Sequence, residues 1–221
     1  MRRGRHARQR VRRYRRGTRI AAAGTGVLSV CAGTVIAAHI GVFFLHSAAA
    51  GGDLVGQERQ AIAGAAVSGG PCPAPGGAGP AGLLEAPALS MVAPVLQGTG
   101  DAVLNDAVGH DPASVWPGQP GTSVLSAHDV TWFSRIGRLR PGDTVRYVTP
   151  CWTYTYTVTS HAVVKAGSPV YSTGAARLVL DTCYPLDALY LTSTRYLVYA
   201  SLASAAPTHA AAAVPAIARR S

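Results

Sequence analysis

Residues 143–165 read DTVRYVTPCWTYTYTVTSHAVVK, two β-rich runs broken at Thr149-Pro150. Thr153, Tyr154, Thr155, Tyr156 and Thr157 alternate between the two faces that a strand presents, and β-branched and aromatic side chains suit that conformation. Two strands are therefore expected here. Just upstream, Pro141-Gly142-Asp143 is a turn signal that ends TWFSRIGRL (131–139), a loop or single turn of helix.

Working outward, GTSVLSAH (121–128) reads as a short strand. TGDAVLNDAVGH (99–110) is the best short helix signal, with Thr99 or Asp101 as N-cap and Val103, Leu104, Ala107 and Val108 as its apolar positions. PALSMVAPVLQG (87–98) alternates around a proline and suits an edge or bulged strand. ARLVLDTCYP (176–185) and TRYLVYASL (194–202) complete the set. Short strands with one convincing helix predict a mainly β domain over 84–203, a small closed or nearly closed β-barrel with room for one core. The tail 204–221 has no such pattern and reads as a loose extension.

The chain has 221 residues and a formal net charge of +10, which resembles a nucleic-acid binder until the charge is located. Ten arginines precede residue 20, leaving ten basic and ten acidic side chains for the rest, so no basic binding face is expected. The run Ile20–Leu45 contains no Asp, Glu, Lys or Arg over 26 residues. A helix of that length spans the roughly 30 Å hydrocarbon core of a bilayer. The arginine-rich segment 1–19 before it then lies in the cytoplasm and everything after it outside. A cleaved signal peptide and a polybasic nucleic-acid arm are the alternatives, but the apolar run exceeds the ~7–15 residues of a signal peptide's hydrophobic region. His39 and Cys31 within the run are read as an interfacial histidine and a packing cysteine. Residues 46–83, rich in Ala, Gly and Pro and containing Cys72, read as an extracellular linker.

Few residues in the domain suit chemistry. Carboxylates are sparse and unpaired, and no H-E-x-x-H, C-x-x-C, P-loop or G-x-S-x-G motif occurs. No metal or cofactor is expected. Cys183 ends a hydrophobic run before Tyr184-Pro185, His128 ends another, and Arg195 opens a third, 12 residues after the cysteine. A thiolate attacks, an imidazole moves protons, and a guanidinium donates to a developing oxyanion. Together they compose an acyl-transfer site. Asp129 and Asp181 are polar neighbours, His110 and His161 read as packing or surface histidines, and Cys151 reads as a structural or free thiol. A Cys151–Cys183 disulfide would silence the nucleophile.

SVLSAHDVTWFSRIGRLRPGDTV, YTYTVTSHAVV, LVLDTCYP and TRYLVYA, in this order, resemble the sortases, membrane-bound cysteine transpeptidases of Gram-positive bacteria, and most resemble class D. The resemblance covers a little over half of the chain and implies an eight-stranded β-barrel with one or two short helices behind a single transmembrane helix. It implies that Cys183 is the nucleophile, His128 the general acid and base, and Arg195 the orienting and oxyanion-stabilising cation. Ala127 and Asp129 stand where the family often has Gly and a basic residue, and Val179-Leu180 where it often has Thr-Leu. The implied reaction cleaves an LPxTG-like sorting signal between Thr and Gly through a thioacyl-enzyme. The implied partners are surface or pilin proteins bearing that signal and an acceptor amine of a cell-wall precursor or pilin lysine. A catalytically silent, stalked β-barrel that binds an envelope protein is the alternative, and a hydrolase in which water resolves the acyl-enzyme is a third.

Overall fold

Period-two alternation of apolar side chains produces strands that bury one face and expose the other. In the computed structural model, which describes residues 4–68, 77, 79–170, 174–186 and 192–208, eight segments are strands: β1 (Gly82–Ala86), β2 (Met91–Gln97), β3 (Val108–His110), β4 (Thr122–Ser126), β5 (Thr144–Val148), β6 (Trp152–Lys165), β7 (Arg177–Tyr184) and β8 (Thr194–Pro207). They close into a barrel in the order β1-β2-β3-β4-β7-β8-β6-β5. Closure leaves no free edge. The interior is filled by alternate residues, among them Leu84, Ala93, Val95, Val145, Tyr156, Leu178, Leu180 and Val198. Each large side chain of this kind contributes roughly 1.5–3 kcal/mol on burial.

The β-rich runs of 143–165 become β5 and β6, an antiparallel hairpin in which Tyr154 faces Tyr147 and Tyr156 faces Val145. The turn before them is present: Asp143 N–H donates to the Arg140 carbonyl at 2.9 Å. Gly142 sits at φ +98, the left-handed conformation that the third position of a type II turn requires.

Four sequence expectations are corrected. The helix expected over 99–110 is one turn, α2 (Asp101–Leu104), and Val108–His110 instead form β3. Parallel pairing of Val95 with Val108 and Gln97 with His110 overrides helix propensity there. A Cβ at Gly109 would lie 2.2 Å from the Gly98 carbonyl oxygen, so only glycine permits this approach. The strand expected over 87–98 begins after a 3-10 turn, Pro87–Leu89, and is no edge: β2 pairs with both β1 and β3. Pro94 is tolerated because the β3 ladder starts only at Val95. The stretch expected as a loose linker from residue 46 is helical as far as Ser68, part of α1 (Gly4–Ser68). β8, for its part, continues past 203 to Pro207, held against Trp152 of β6.

The chain divides into two units, Met1–Leu45 and His46–Ser221. In the first, α1 carries exposed apolar side chains such as Val35, Ile36 and Val42. Val30–Ala65 of α1 is long and apolar enough to cross a membrane. In the second unit, α1 packs on the barrel: Ser47 Oγ donates to the Asn105 carbonyl, and Val55 and Glu58 are buried. Gly51 permits the approach, since a Cβ there would meet the Trp132 ring at 2.3 Å. Cys72 and the tail from 209 lie outside the described residues.

Candidate active site

β7 and β8 run antiparallel with Cys183 directly opposite Arg195 and Asp181 opposite Leu197. Residues 178, 180 and 182 of β7 are buried, the first two in the barrel core, whereas Val179 packs in a second small cluster with Val124 and Leu197. Cys183 and Asp181 share parity with Val179, so the thiol stands on the outer face of the barrel. The Arg195 guanidinium donates through Nη1 to Cys183 Sγ at 2.7 Å. That contact sets a guanidinium donor directly on the sulfur.

His128 comes from the chain just after β4. The β4 and β7 strands are parallel neighbours, and their ends are stitched together: Ala127 N–H donates to the Asp181 carbonyl at 3.2 Å, and the buried Thr182 hydroxyl donates to the Ala127 carbonyl at 2.7 Å. Beyond His128 the chain turns sharply, its carbonyl accepting the N–H groups of Thr131 and Phe133. Phe133, fully buried, anchors that turn in the core. The result is one cleft of about 310 Å³ lined by His128, Cys183 and Arg195. All three residues singled out in the sequence are therefore brought together.

Asp181, Asp111 and Asp101 line the same cleft. Burial pushes the Asp181 carboxyl up to about 6, against the opposing pull of Arg195 and a bond from Ser126 Oγ at 3.5 Å. Of the three, only Asp181 carried a sequence signal, as a polar neighbour of Cys183; Asp101 reads only as a helix N-cap, and Asp111 carried none, because it follows Val108–His110, which reads as helix and forms β3. Asp129, adjacent to His128 in sequence, is buried and does not line the cleft. His110 is a core residue, stacked on Trp116 at 3.9 Å with Nδ1 at 3.0 Å from Gln97 Oε1 and Nε2 at 3.0 Å from the Val115 carbonyl. Burial lowers its pKa. His161 pairs with the Tyr196 hydroxyl at 2.8 Å. Cys151 is disulfide-bonded and Cys183 is a free thiol, so the pairing that would silence the nucleophile is not made.

A barrel of this topology with a cysteine, histidine and arginine on one cleft matches known proteins. The protein family described as Sortase domain matches residues 84–203, and the chain belongs to the sortase family. Sortase D of Bacillus subtilis (strain 168) is 32% identical over 121 residues, covering 53% of this chain and 61% of that relative, so the match spans less than two thirds of the relative's length. Among solved structures, sortase C1 of Streptococcus agalactiae is 27% identical with a TM-score of 0.52, over 57% of this chain and 69% of that one. The sortase D5 transpeptidase of Clostridium perfringens is 15% identical with a TM-score of 0.58, over 71% of this chain and 99% of that one, a likeness of fold.

Proposed function

We propose that this protein is a membrane-anchored cysteine transpeptidase that cleaves an LPxTG-like sorting signal between Thr and Gly and transfers the acyl group to an amine of the cell wall or of a pilin. The observation that carries the reading is the Arg195–Cys183 hydrogen bond inside a cleft that also holds His128. In this mechanism Cys183 Sγ attacks the threonine carbonyl carbon, and the carbonyl oxygen becomes an oxyanion to which Arg195 donates. The C–N bond then breaks as His128 gives its proton to the departing glycine amine, leaving a thioester. An acceptor amine attacks that thioester, His128 takes the amine's proton, and Sγ leaves as the thiolate. The names of the relatives, a sortase D and a pilus-type sortase of group B Streptococcus among them, support a sorting-signal substrate.

The membrane reading assigns 20–45 to a single-pass span, 1–19 to the cytoplasm and the catalytic domain 84–203 to the exterior of the plasma membrane. Ten arginines on one side of the apolar run support that direction, as does the disulfide at Cys151, which suits an oxidising compartment.

Intact mass of the protein after incubation with LPxTG- and LAxTG-type peptides tests the reading, with and without an added amine. The expected result is a peptide-acyl adduct that is absent in Cys183→Ala and disappears when the amine is present, with the amide product formed in its place. A folded protein with an alkylatable Cys183 and no adduct across the peptides would favour a binding module instead.

A further inference from the structure

The barrel holds a second cavity, of about 400 Å³, remote from Cys183. β6 fixes the separation: Val164 pairs with Arg195 beside the thiol, whereas Trp152, twelve residues back along the same strand, pairs with Pro207 at the other end of β8. At about 3.3 Å per residue that is tens of ångströms. Trp116, Tyr147, Trp152 and Tyr154 wall the cavity, and Glu58 of α1 is the one charged side chain among its described lining residues.

The walls are braced. Tyr154 lies between Tyr147 and Trp152, with centroids 6.3 and 6.5 Å apart and planes within 20° and 26° of parallel. The Tyr147 hydroxyl donates to the Ala81 carbonyl at 2.8 Å, and Trp116 is stacked on the buried His110. The Thr149–Trp152 turn is closed by its own backbone bond and contains the disulfide-bonded Cys151.

Glu58 is only 3% exposed, and its Oε1 has no hydrogen-bond partner among the described residues. Burial pushes the Glu58 carboxyl up to about 7, the sign of a charged form without a partner, and a ligand cation favours that charged form. Aromatic faces carry negative quadrupolar potential and attract the same cations. A hard divalent ion needs six or more oxygen ligands, which one carboxylate among aromatic rings does not supply, and an anion is repelled by Glu58. The volume falls within the 300–1,000 Å³ range of small-ligand sites. We propose that this cavity binds an organic ammonium group, with Glu58 pairing with the ammonium and the four rings enclosing its alkyl substituents. The shared chemistry is that of a free amine and of an amino-lipid headgroup. The inference stands apart from the transpeptidase reading, because no residue of the cleft takes part.

The test uses the full chain in amine-free detergent and reads tryptophan fluorescence, since two of the chain's three tryptophans line the cavity. Choline and ethanolamine are titrated at constant ionic strength against 3,3-dimethylbutan-1-ol, a neutral counterpart of choline. A saturable change with the amines is expected, at least about tenfold weaker for the neutral alcohol and in Glu58→Gln, as loss of a buried ion pair predicts. Trp152→Leu, a substitution at the 42% exposed rim, should weaken amine binding while circular dichroism stays unchanged. Equal binding of choline and the alcohol, unaltered affinity in Glu58→Gln, or absence of saturation would overturn the proposal. Displacement of choline by phosphatidylethanolamine nanodiscs but not phosphatidylglycerol nanodiscs supports a lipid source, and retention of choline against both supports a soluble amine.

Discussion

Arg195 meets Cys183 through one nitrogen of a planar, five-donor fork, which leaves other N–H groups for a developing oxyanion. Lysine keeps the charge and loses the fork. Arg195→Lys is therefore expected to lower kcat/KM by about 10²–10³, the cost of one lost oxyanion donor, while thermal unfolding stays within a few degrees of the parent protein. Steady-state transpeptidation with a fluorogenic sorting peptide checks this. His110 gives a different residue-scale expectation. Burial holds its pKa below the ordinary 6.5, opposed by the Val115 carbonyl and Asp111, so the unfolded chain takes up a proton before the folded one does. Its effect is absent above pH 6.5 and becomes a loss of stability as pH falls below that value. His110→Gln should flatten the fall of melting temperature between pH 7 and pH 5, measured by differential scanning fluorimetry. The three residues proposed to do the chemistry, which line one cleft, were legible in the sequence because each ends or opens a hydrophobic run. Asp181 was legible only as a neighbour, since its burial depends on Ser126 and Ala127 of a distant segment.

At the level of elements, the longer β-rich runs were readable. β6 carries the period-two signal at Thr153–Thr157, and β5, β7 and β8 are runs of β-branched or aromatic residues; the structure places all four close to where the sequence does. The failures are short or composition-masked elements. β3 has three residues, too few to show a period, and its pairing with β2 is non-local. GLLEA, now β1, is a continuous apolar run with one glutamate, which alternation does not identify. The helical stretch 46–68 is masked by Ala and Gly, residues shared by linkers and by helices that pack closely. Gly51 makes that packing testable. In Gly51→Ala the new methyl would sit 2.3 Å from Trp132 Cζ2 and 2.8 Å from the Asp106 carbonyl oxygen. The expected cost is about 1–3 kcal/mol, the usual range for overpacking. Hydrogen exchange should show lost protection in residues 47–58 with the strands of the barrel unaffected.

For the whole molecule, the cysteines report on compartment and competence together. Alkylation of the denatured protein without reductant is expected to label Cys183 and to leave Cys151 unlabelled until reductant is added, as peptide mass mapping reads directly. The charge distribution, legible from sequence alone, is what supports the proposed direction of the chain across a membrane. The closed barrel was legible as a class, because many short strands need a way to lose their edges; the strand order was not, because β7 sits between β4 and β8 through contacts distant in sequence. The thiol and the guanidinium occupy the same rung of β7 and β8, with the thiol on the outer surface. Sliding β8 by a single residue would turn the arginine inward and set Thr194 or Tyr196 across from the sulfur. Reactivity at Cys183 is thus a gauge of sheet alignment, able to distinguish a correctly threaded barrel from a misthreaded one during refolding, without any peptide substrate at all.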